Sequence, residues 1–427
     1  MMLWVFLGVL FLFLFLGVPV AFAMLVSAVA MLLVMGVFDT QIVAQNLING
    51  ANNFPLMAIP FFILAGEIMN AGGISKRIVS FASTLVGHIR GGLGYVTIFS
   101  GVLFAGLSGS AVADTAALGA ILIPMMAARG YNVGRASGLV ASSGIIAPII
   151  PPSIPLIMFG VVGGVSITQL FMGGIVPGIL FAVGLIIVWY FVAKRDNAET
   201  MPKATTKERV SAFVQAIWAL FMPVIIIVGL RGGIFTPTEA AVVAAMYALL
   251  ISFTVYRGEL KVKDIPMLLV NTARTTGVVM LLASAAMVTA YVVTIAQIPA
   301  ELGGFLGGIT QNPTLLLLIL MVFLLLVGVV MDMTPAILIF TPVLLPVVIA
   351  AGIDPVYFGI VMVINLCIGL ITPPVGTVLY VAAGISKISI IEITKGIWPF
   401  LLVQITVLLL LILFPQLVTV PLEWFTK

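Results

Sequence analysis

Apolar runs of roughly twenty residues, the length a helix needs to cross a bilayer, recur along almost the whole chain. Short polar or Gly/Pro-containing breaks separate them. In the first half they predict helices at 2–16, 19–36 and 54–71. The stretch 74–89 differs: Ile74, Ile78, Leu85 and Ile89 share one face, and Lys76, Arg77, Ser80, Thr84 and His88 lie mostly elsewhere. That pattern suits a helix lying in the membrane interface. Two shorter apolar segments, 92–107 and 111–128, are joined by Leu107-Ser108-Gly109-Ser110 and predict a re-entrant hairpin spanning 92–128. A helix at 135–164 follows, broken at Pro148-Ile149-Ile150-Pro151-Pro152, and then one at 169–193. The second half predicts helices 211–230, 237–256 and 274–297, a hairpin 314–350, a broken helix 355–385 and a last helix 390–414. A charged stretch, 194–210, links the halves.

The organisation therefore reads as 1–193, a linker 194–210, and 211–427. The two parts align on one another at an offset of 222 residues, the distance from Pro124 to Pro346. Pro151-Pro152 then falls on Pro373-Pro374, Gly106 on Gly328, Ser110 on Asp332 and Pro177 on Pro399. Each part holds five crossings and one hairpin. Five is odd, so the second part enters the membrane upside down. With that topology, 16 of the 18 Lys and Arg residues fall on one side, and only Arg231 and Lys427 on the other. The positive-inside rule makes the crowded side cytoplasmic and both termini periplasmic. The expected fold is an all-α integral membrane protein of two inverted-topology repeats.

Composition narrows the function. Hydrophobic residues make up 63% and charged residues 7%, whereas soluble domains carry about 25% charged residues. The net charge of +4 fits basic cytoplasmic loops rather than nucleic-acid binding. One cysteine, Cys367, and one histidine, His88, permit neither an internal disulfide nor a Cys/His metal cluster. No basic residue precedes Lys76, so 2–16 reads as a retained helix rather than a cleaved signal.

Inverted repeats with paired broken helices point to a secondary transporter whose site lies where the breaks meet. One cluster is Gly106-Leu107-Ser108-Gly109-Ser110 with Asp114, facing Pro148 to Ser153. The other is Gly328 to Thr334, containing Asp332, facing Gly369 to Thr377. A proline removes an N–H and frees carbonyls upstream. Such carbonyls, with Ser and Thr hydroxyls, suit a desolvated Na⁺. Expected Na⁺ ligands are Ser108, Ser110, Asp114, Pro148 and Pro151 in the first cluster, and Gly328, Asp332, Thr334, Gly369, Thr372 and Gly376 in the second. Helix N-termini beside the breaks suit a carboxylate, so Ser108, Gly109, Ser110, Ser153, Asp332 and Thr377 are expected at the substrate. An aspartate near the bilayer centre costs about 2.5–3.5 kcal/mol on insertion scales. Asp114 and Asp332 therefore read either as ion ligands or as caps of the second hairpin helices. Glu67 and Glu239 read as residues of the surrounding helices or of an interface.

Gly106-Leu107-Ser108-Gly109 also fits the G-x-S-G pattern of rhomboid proteases, a chemistry that requires a histidine beside the serine. His88 is placed on the interfacial helix, so the chain reads as no enzyme. It has no P-loop, which leaves an ion gradient as the driving force. A channel is disfavoured because two opposed hairpins interrupt a continuous pore.

Gly109 to Ala116, Ile146 to Pro155, Ile59-Pro60-Phe61-Phe62 with Ala65-Gly66, Phe235 to Ala240 and Gly369 to Pro374 together resemble the large membrane subunit of TRAP (tripartite ATP-independent periplasmic) transporters, DctM type. The resemblance covers essentially the whole chain. It implies Na⁺-coupled import of an organic acid (sialic acid, a sugar acid or a C4-dicarboxylate) across the bacterial inner membrane by an elevator motion. It also implies two partners, a small four-helix membrane subunit on a separate polypeptide and a periplasmic substrate-binding protein. The alternative is a stand-alone ion-coupled anion carrier of related elevator fold, needing no binding protein.

The charge asymmetry makes a topological prediction. In a Cys367→Ser background, single cysteines at Asn197 and Thr426 should react with an impermeant thiol reagent from opposite sides of the membrane. Labelling of both from one side contradicts the inverted parse.

Overall fold

The computed structural model describes residues 2–194 and 200–426. Its ordered elements are helices, and the one extended pairing among the described residues is an isolated bridge between Arg257 and Leu260. Hydrocarbon imposes this outcome, because a helix satisfies its own backbone polar groups where no water is available.

The first half runs α1 (Met2–Phe15), α2 (Val20–Met35), α3 (Thr40–Ala51), a 3-10 turn (Phe54–Met57), α4 (Ala58–Ala71), α5 (Ile74–Val86), α6 (Gly92–Ser108), α7 (Ala111–Ala127), α8 (Val133–Gly144), α9 (Ile154–Gly163) and α10 (Ile167–Ala193). The second runs α11 (Thr206–Arg231), α12 (Pro237–Thr254), a 3-10 turn (Val262–Asp264), α13 (Ile265–Ile295), α14 (Ile298–Ile309), α15 (Pro313–Val330), α16 (Met333–Ala350), α17 (Pro355–Gly369), α18 (Thr377–Ser386), α19 (Ile390–Leu413) and α20 (Gln416–Thr426). Among the described residues, 8 helices are long and apolar enough to cross a membrane. Paired helices α6–α7 and α15–α16 stand over the two segments expected as hairpins. Both broken helices occur as well, as α8–α9 and α17–α18.

Several elements depart from the pattern-based expectation. Helix α3 occupies a stretch too polar to read as a span, and the Asp39 side chain accepts from the Gln41 N–H at 2.7 Å to start it. Helix α13 begins at Ile265 rather than 274, so exposed Arg274 lies inside a helix and not before one. Helix α14 carries four glycines, poor helix formers in isolation, and only its tertiary setting makes it helical. Helix α11 begins at Thr206, within the expected linker, where Thr205 and Glu208 form a reciprocal cap. Such a cap satisfies N–H groups that the first turn leaves orphaned. Helix α20 follows Pro415 where no element was expected. Residues 195–199 of the expected linker, with Arg195 among them, and Lys427 lie outside the described residues.

Packing divides the helices into groups. Helix α4 lies against α12, α2 against α13, and α3 along α13. Helix α5 bridges α6 and α11. It is clamped by Arg77, which donates to the Gly72 and Gly73 carbonyls at 3.1 and 2.9 Å. The same guanidinium lies 4.0 Å from the Tyr256 ring centroid and 3.9 Å from Glu259. Helices α8 and α19 pack closely, as do α6 and α7 with α8. Most of these contacts join the first half to the second, and two more do so beside the breaks: α7 lies on α18, and α16 lies on α9.

Where lipid replaces water, apolar contact gives no driving force of its own and close packing must supply the cohesion. The Trp189 ring shows the principle. It is fully buried, stacks near Tyr131 with centroids 6.2 Å apart, and donates from Nε1 to the Gly91 carbonyl at 2.8 Å. Gly94 makes this possible, since a Cβ there would overlap the ring. Gly94→Ala should therefore cost about 1–3 kcal/mol through overpacking, read as a lower melting temperature in detergent. Gly8→Ala, whose added methyl meets nothing within 4 Å, should leave the melting temperature unchanged or raised.

Candidate functional site

The first cluster is assembled by the tip of α6–α7 against the α8–α9 break. Helix α6 ends at Ser108, Gly109 takes a left-handed turn at φ +61°, and Ser110 caps α7. The Ser110 hydroxyl accepts from the Ala113 N–H at 3.4 Å, and the Ser110 N–H donates to Ser108 Oγ at 3.1 Å. The Ser108 hydroxyl donates to Oδ1 of Asp114, one turn into α7. The Asp114 side chain is only 1% exposed, and its Oδ2 has no hydrogen-bond partner in the chain. On the other side, α8 stops at Gly144 and the chain turns through 145–153 before α9. The Pro151–Pro152 bond there is cis. Ser153 caps α9 and donates to the Pro148 carbonyl. A Cβ on Gly109 would lie 2.5 Å from the Pro152 oxygen and 3.2 Å from the Ile154 nitrogen. The hairpin tip thus touches the break at the start of α9. Ser108, Gly109, Ser110 and Asp114 on the tip side thus lie against Pro148, Pro151 and Ser153 on the break side.

The second cluster is built the same way with different residues. Met331 ends α15, and Asp332 caps α16 by accepting from the Thr334 N–H at 3.1 Å. Ser110 and Asp332, which share a position in the alignment of the two halves, are both N-caps. Asp114 caps nothing, so the two aspartates have different jobs. The Thr377 side chain, at the start of α18, lies beside the Asp332 carboxylate. Gly328 and Gly369 bring α15 and α17 into backbone contact: a Cβ on Gly369 would lie 2.7 Å from the Gly328 Cα. Thr372 donates to the Ile368 carbonyl at 2.7 Å, which keeps oxygen lone pairs free to coordinate a cation. The Pro373–Pro374 bond is cis, and Gly376 turns the chain at φ +47° into α18. Gly328, Asp332, Gly369, Thr372, Gly376 and Thr377 are thus neighbours of one break, with Thr334 at the hairpin tip.

The clusters differ in access. Residues of the first break are buried throughout, whereas Asp332, Thr372 and Thr377 are half-buried and Pro374 is exposed. Glu239 lies outside both clusters. Its carboxylate accepts from the Thr236 N–H and hydroxyl, both at 2.8 Å, and so caps α12. Glu67 lines a cleft of about 470 Å³ between α4, α5 and α7, together with Lys76 and Glu259. Ser108 engages a carboxylate and no histidine, so its geometry gives a protease reading no support.

Two buried amides escaped the sequence reading. Asn365 on α17 donates to the Met321 carbonyl at 2.6 Å and holds α15 to α17. Gln404 on α19 donates to the Ser142 carbonyl at 2.9 Å, next to the start of the first break. Each interrupts an apolar run, the same signal that singles out intramembrane aspartates. Each also keeps a buried carbonyl oxygen without a partner.

Residues 7–417 match the family described as tripartite ATP-independent periplasmic transporter, DctM component. The 2,3-diketo-L-gulonate TRAP transporter large permease protein YiaN of Escherichia coli K12 is 50% identical over 420 residues, 98% of this chain and 99% of that one. The sialic acid TRAP transporter large permease protein SiaM of Vibrio cholerae is 41% identical over 397 residues, 93% of each chain. Among solved structures, the Alcanivorax borkumensis YdaH transporter aligns at a TM-score of 0.64 with 15% identity, covering 86% of this chain and 87% of that one. At that identity the likeness concerns the fold alone.

The tip-to-break contacts predict which small changes matter. Gly109→Ala forces a left-handed residue, at about 1–2 kcal/mol, and pushes the tip off Pro152. Gly369→Ala separates α15 from α17. Both should lower the melting temperature by several degrees, while Gly384→Ala, whose Cβ meets nothing within 4 Å, should not. Equal melting temperatures for all three contradict the contacts.

Proposed function

This chain belongs to the DctM-component family of tripartite ATP-independent periplasmic transporters, and from that premise we propose that it forms the membrane pathway of a Na⁺-coupled importer for a small carboxylate. As a large permease of that family it is a multi-pass membrane protein, a transporter component and no member of an enzyme family. The finer reading places it in the bacterial inner membrane with both termini periplasmic. A separate four-helix membrane subunit and a periplasmic binding protein complete the system. The substrate class follows the relatives named for diketogulonate and sialic acid, both acids carrying several oxygens.

The observation that carries the ion reading is Asp114. A carboxylate buried in a low-dielectric interior is costly unless paired, and one of its oxygens has no partner in the chain. A monovalent cation answers that demand. The further ligands proposed for it are the hydroxyls of Ser108, which donates to Asp114, and Ser110, with the carbonyls of Pro148 and Pro151. In the second cluster Asp332, Thr334 and Thr372 with the Gly328, Gly369 and Gly376 carbonyls offer a second oxygen-rich pocket. The acid would lie between the tips, with Gly109, Ser110 and Ser153 at helix starts on one side and Asp332 and Thr377 on the other. An anion beside Asp332 is unfavourable until a cation neutralises that carboxylate, which gives coupling a physical basis.

We further infer that α6–α10 and α15–α19 move as one body against α1–α5 and α11–α14. The contacts of α7 on α18 and α16 on α9 support this grouping, because they join the elements of one cluster to those of the other.

Reconstituted vesicles test the reading. With the small subunit and the loaded binding protein present, uptake should require an inward Na⁺ gradient. Replacement of Na⁺ by choline at constant pH should abolish it. Asp114→Asn and Asp332→Asn should each raise the half-saturating Na⁺ concentration about tenfold, equivalent to 1.4 kcal/mol. Full uptake in choline refutes sodium coupling, and full uptake without the binding protein favours a stand-alone carrier.

A further inference from the structure

Three cavities run end to end along the outer side of the α15–α16 hairpin. The first, about 640 Å³, lies between α14 and the base of the hairpin, with Thr310, Gln311 and Asn312 at its mouth. The second, about 200 Å³, is walled by apolar side chains alone, Phe6, Leu320 and Phe340 among them. The third, about 560 Å³, lies between the end of α1 and the hairpin tip, where Phe15, Val330 and Asp332 line it. Leu306 belongs to the first and second, and Phe323 to the second and third. The three therefore adjoin in a row, a segmented slot with one shared wall residue at each junction.

The slot follows the 18 residues of α15, about 27 Å at 1.5 Å per residue. One leaflet with its head groups is about 20–22 Å thick, half of the full bilayer, and the same path taken at a tilt is longer. Polarity changes along the slot: amide and hydroxyl groups line the base, apolar side chains alone the middle, and apolar side chains with the single carboxyl of Asp332 the tip. Trp4 and Phe305 near the polar end are 75% and 68% exposed, as aromatic side chains at a membrane interface commonly are.

Size and chemistry select the occupant. An α-helix with side chains is about 10–12 Å across, too wide for the 200 Å³ middle section, so a partner's helix does not thread it. The middle section has no polar group to receive a carboxylate, so the transported acid does not use it. We propose that the slot is a lipid site, holding one acyl chain of a bilayer phospholipid with its head group at Thr310 to Asn312. The end of the chain lies beside Asp332 and Pro335, where it keeps water from the outer side of the second cluster. It also lets α15 slide past α1 across a fluid contact instead of interlocked side chains.

Photolabelling of the full chain in nanodiscs tests this. The discs contain phosphatidylethanolamine doped with phosphatidylcholine bearing a diazirine at the middle or the end of one chain. The experiment is run with and without the small membrane subunit. The mid-chain probe should label α1 and α15 near Phe6 and Leu320, and the end-chain probe near Phe15 and Val330. Both yields should exceed labelling of the exposed face of α10 around Ile187 by about tenfold. Leu320→Trp, which fills the narrow section, should abolish the preference with the melting temperature kept. Leu7→Trp fills it from the opposite wall and serves if the first variant misfolds. Uniform labelling of all exposed helices overturns the site, as does a preference that survives both tryptophans. Loss of labelling when the small subunit is added overturns the lipid in favour of a protein occupant.

Discussion

A polypeptide in hydrocarbon has no solvent for its backbone, and this constraint organises the whole molecule. Two helix pairs, α8–α9 and α17–α18, are joined through Pro-Pro pairs, and each interruption frees N–H and carbonyl groups that hydrocarbon could not satisfy. They are tolerable only because a hairpin tip covers each. Gly109 presses on Pro152, and Gly328 on Gly369. Ser153 satisfies the Pro148 carbonyl and Thr372 the Ile368 carbonyl. Each break–tip pair is one unit: the break supplies polar groups, and the tip shields them from lipid while adding its own serines, threonine and aspartate. The proposed site for ions and acids coincides with the solution to a folding problem.

Much of this was legible in the amino-acid order because its signals are categorical in lipid. Long apolar runs, a Pro-Pro pair inside each of two of them, and polar tips between paired short runs have few other meanings in a membrane. The hairpins and the residues of both clusters follow directly. What escaped were elements whose helicity depends on tertiary support. Helix α3 is polar and needs α13 beside it. Helix α14 is rich in glycine, and α20 contains Pro421. The start of α13 was misplaced because Arg274 marks a loop by charge, yet it is exposed on a continuing helix. Roles within the clusters were also hidden. Alignment pairs Ser110 with Asp332, and only the structure shows that both are caps and that Asp114 is not.

The two breaks share a construction and differ in burial: Pro148 to Ser153 are buried, whereas Thr372 and Thr377 are half-buried and Pro374 is exposed. The exchange of contacts between halves, α7 with α18 and α16 with α9, gives the clusters a common body. Arg77 and the helix caps of α11 and α12 stiffen the helices around it. In the proposed function, the buried Asp114 carboxylate with its unpartnered oxygen would supply the demand for a cation, and a neutralised Asp332 the tolerance for an anion. Transport in this account is the rigid displacement of one polar unit past an apolar wall.

Disulfide cross-linking during uptake tests that displacement most directly. A cysteine pair drawn from the cluster that holds Phe81 of α5 and Phe99 of α6 joins the two proposed bodies. A pair at Gly119 and Ile385, where a Cβ would lie 3.1 Å from the isoleucine methyl, joins α7 to α18 within one body. The account predicts that oxidation of the first pair stops uptake, that reduction restores it, and that oxidation of the second leaves uptake intact. Efficient cross-linking of the first pair with uptake at the uncrosslinked rate would contradict it.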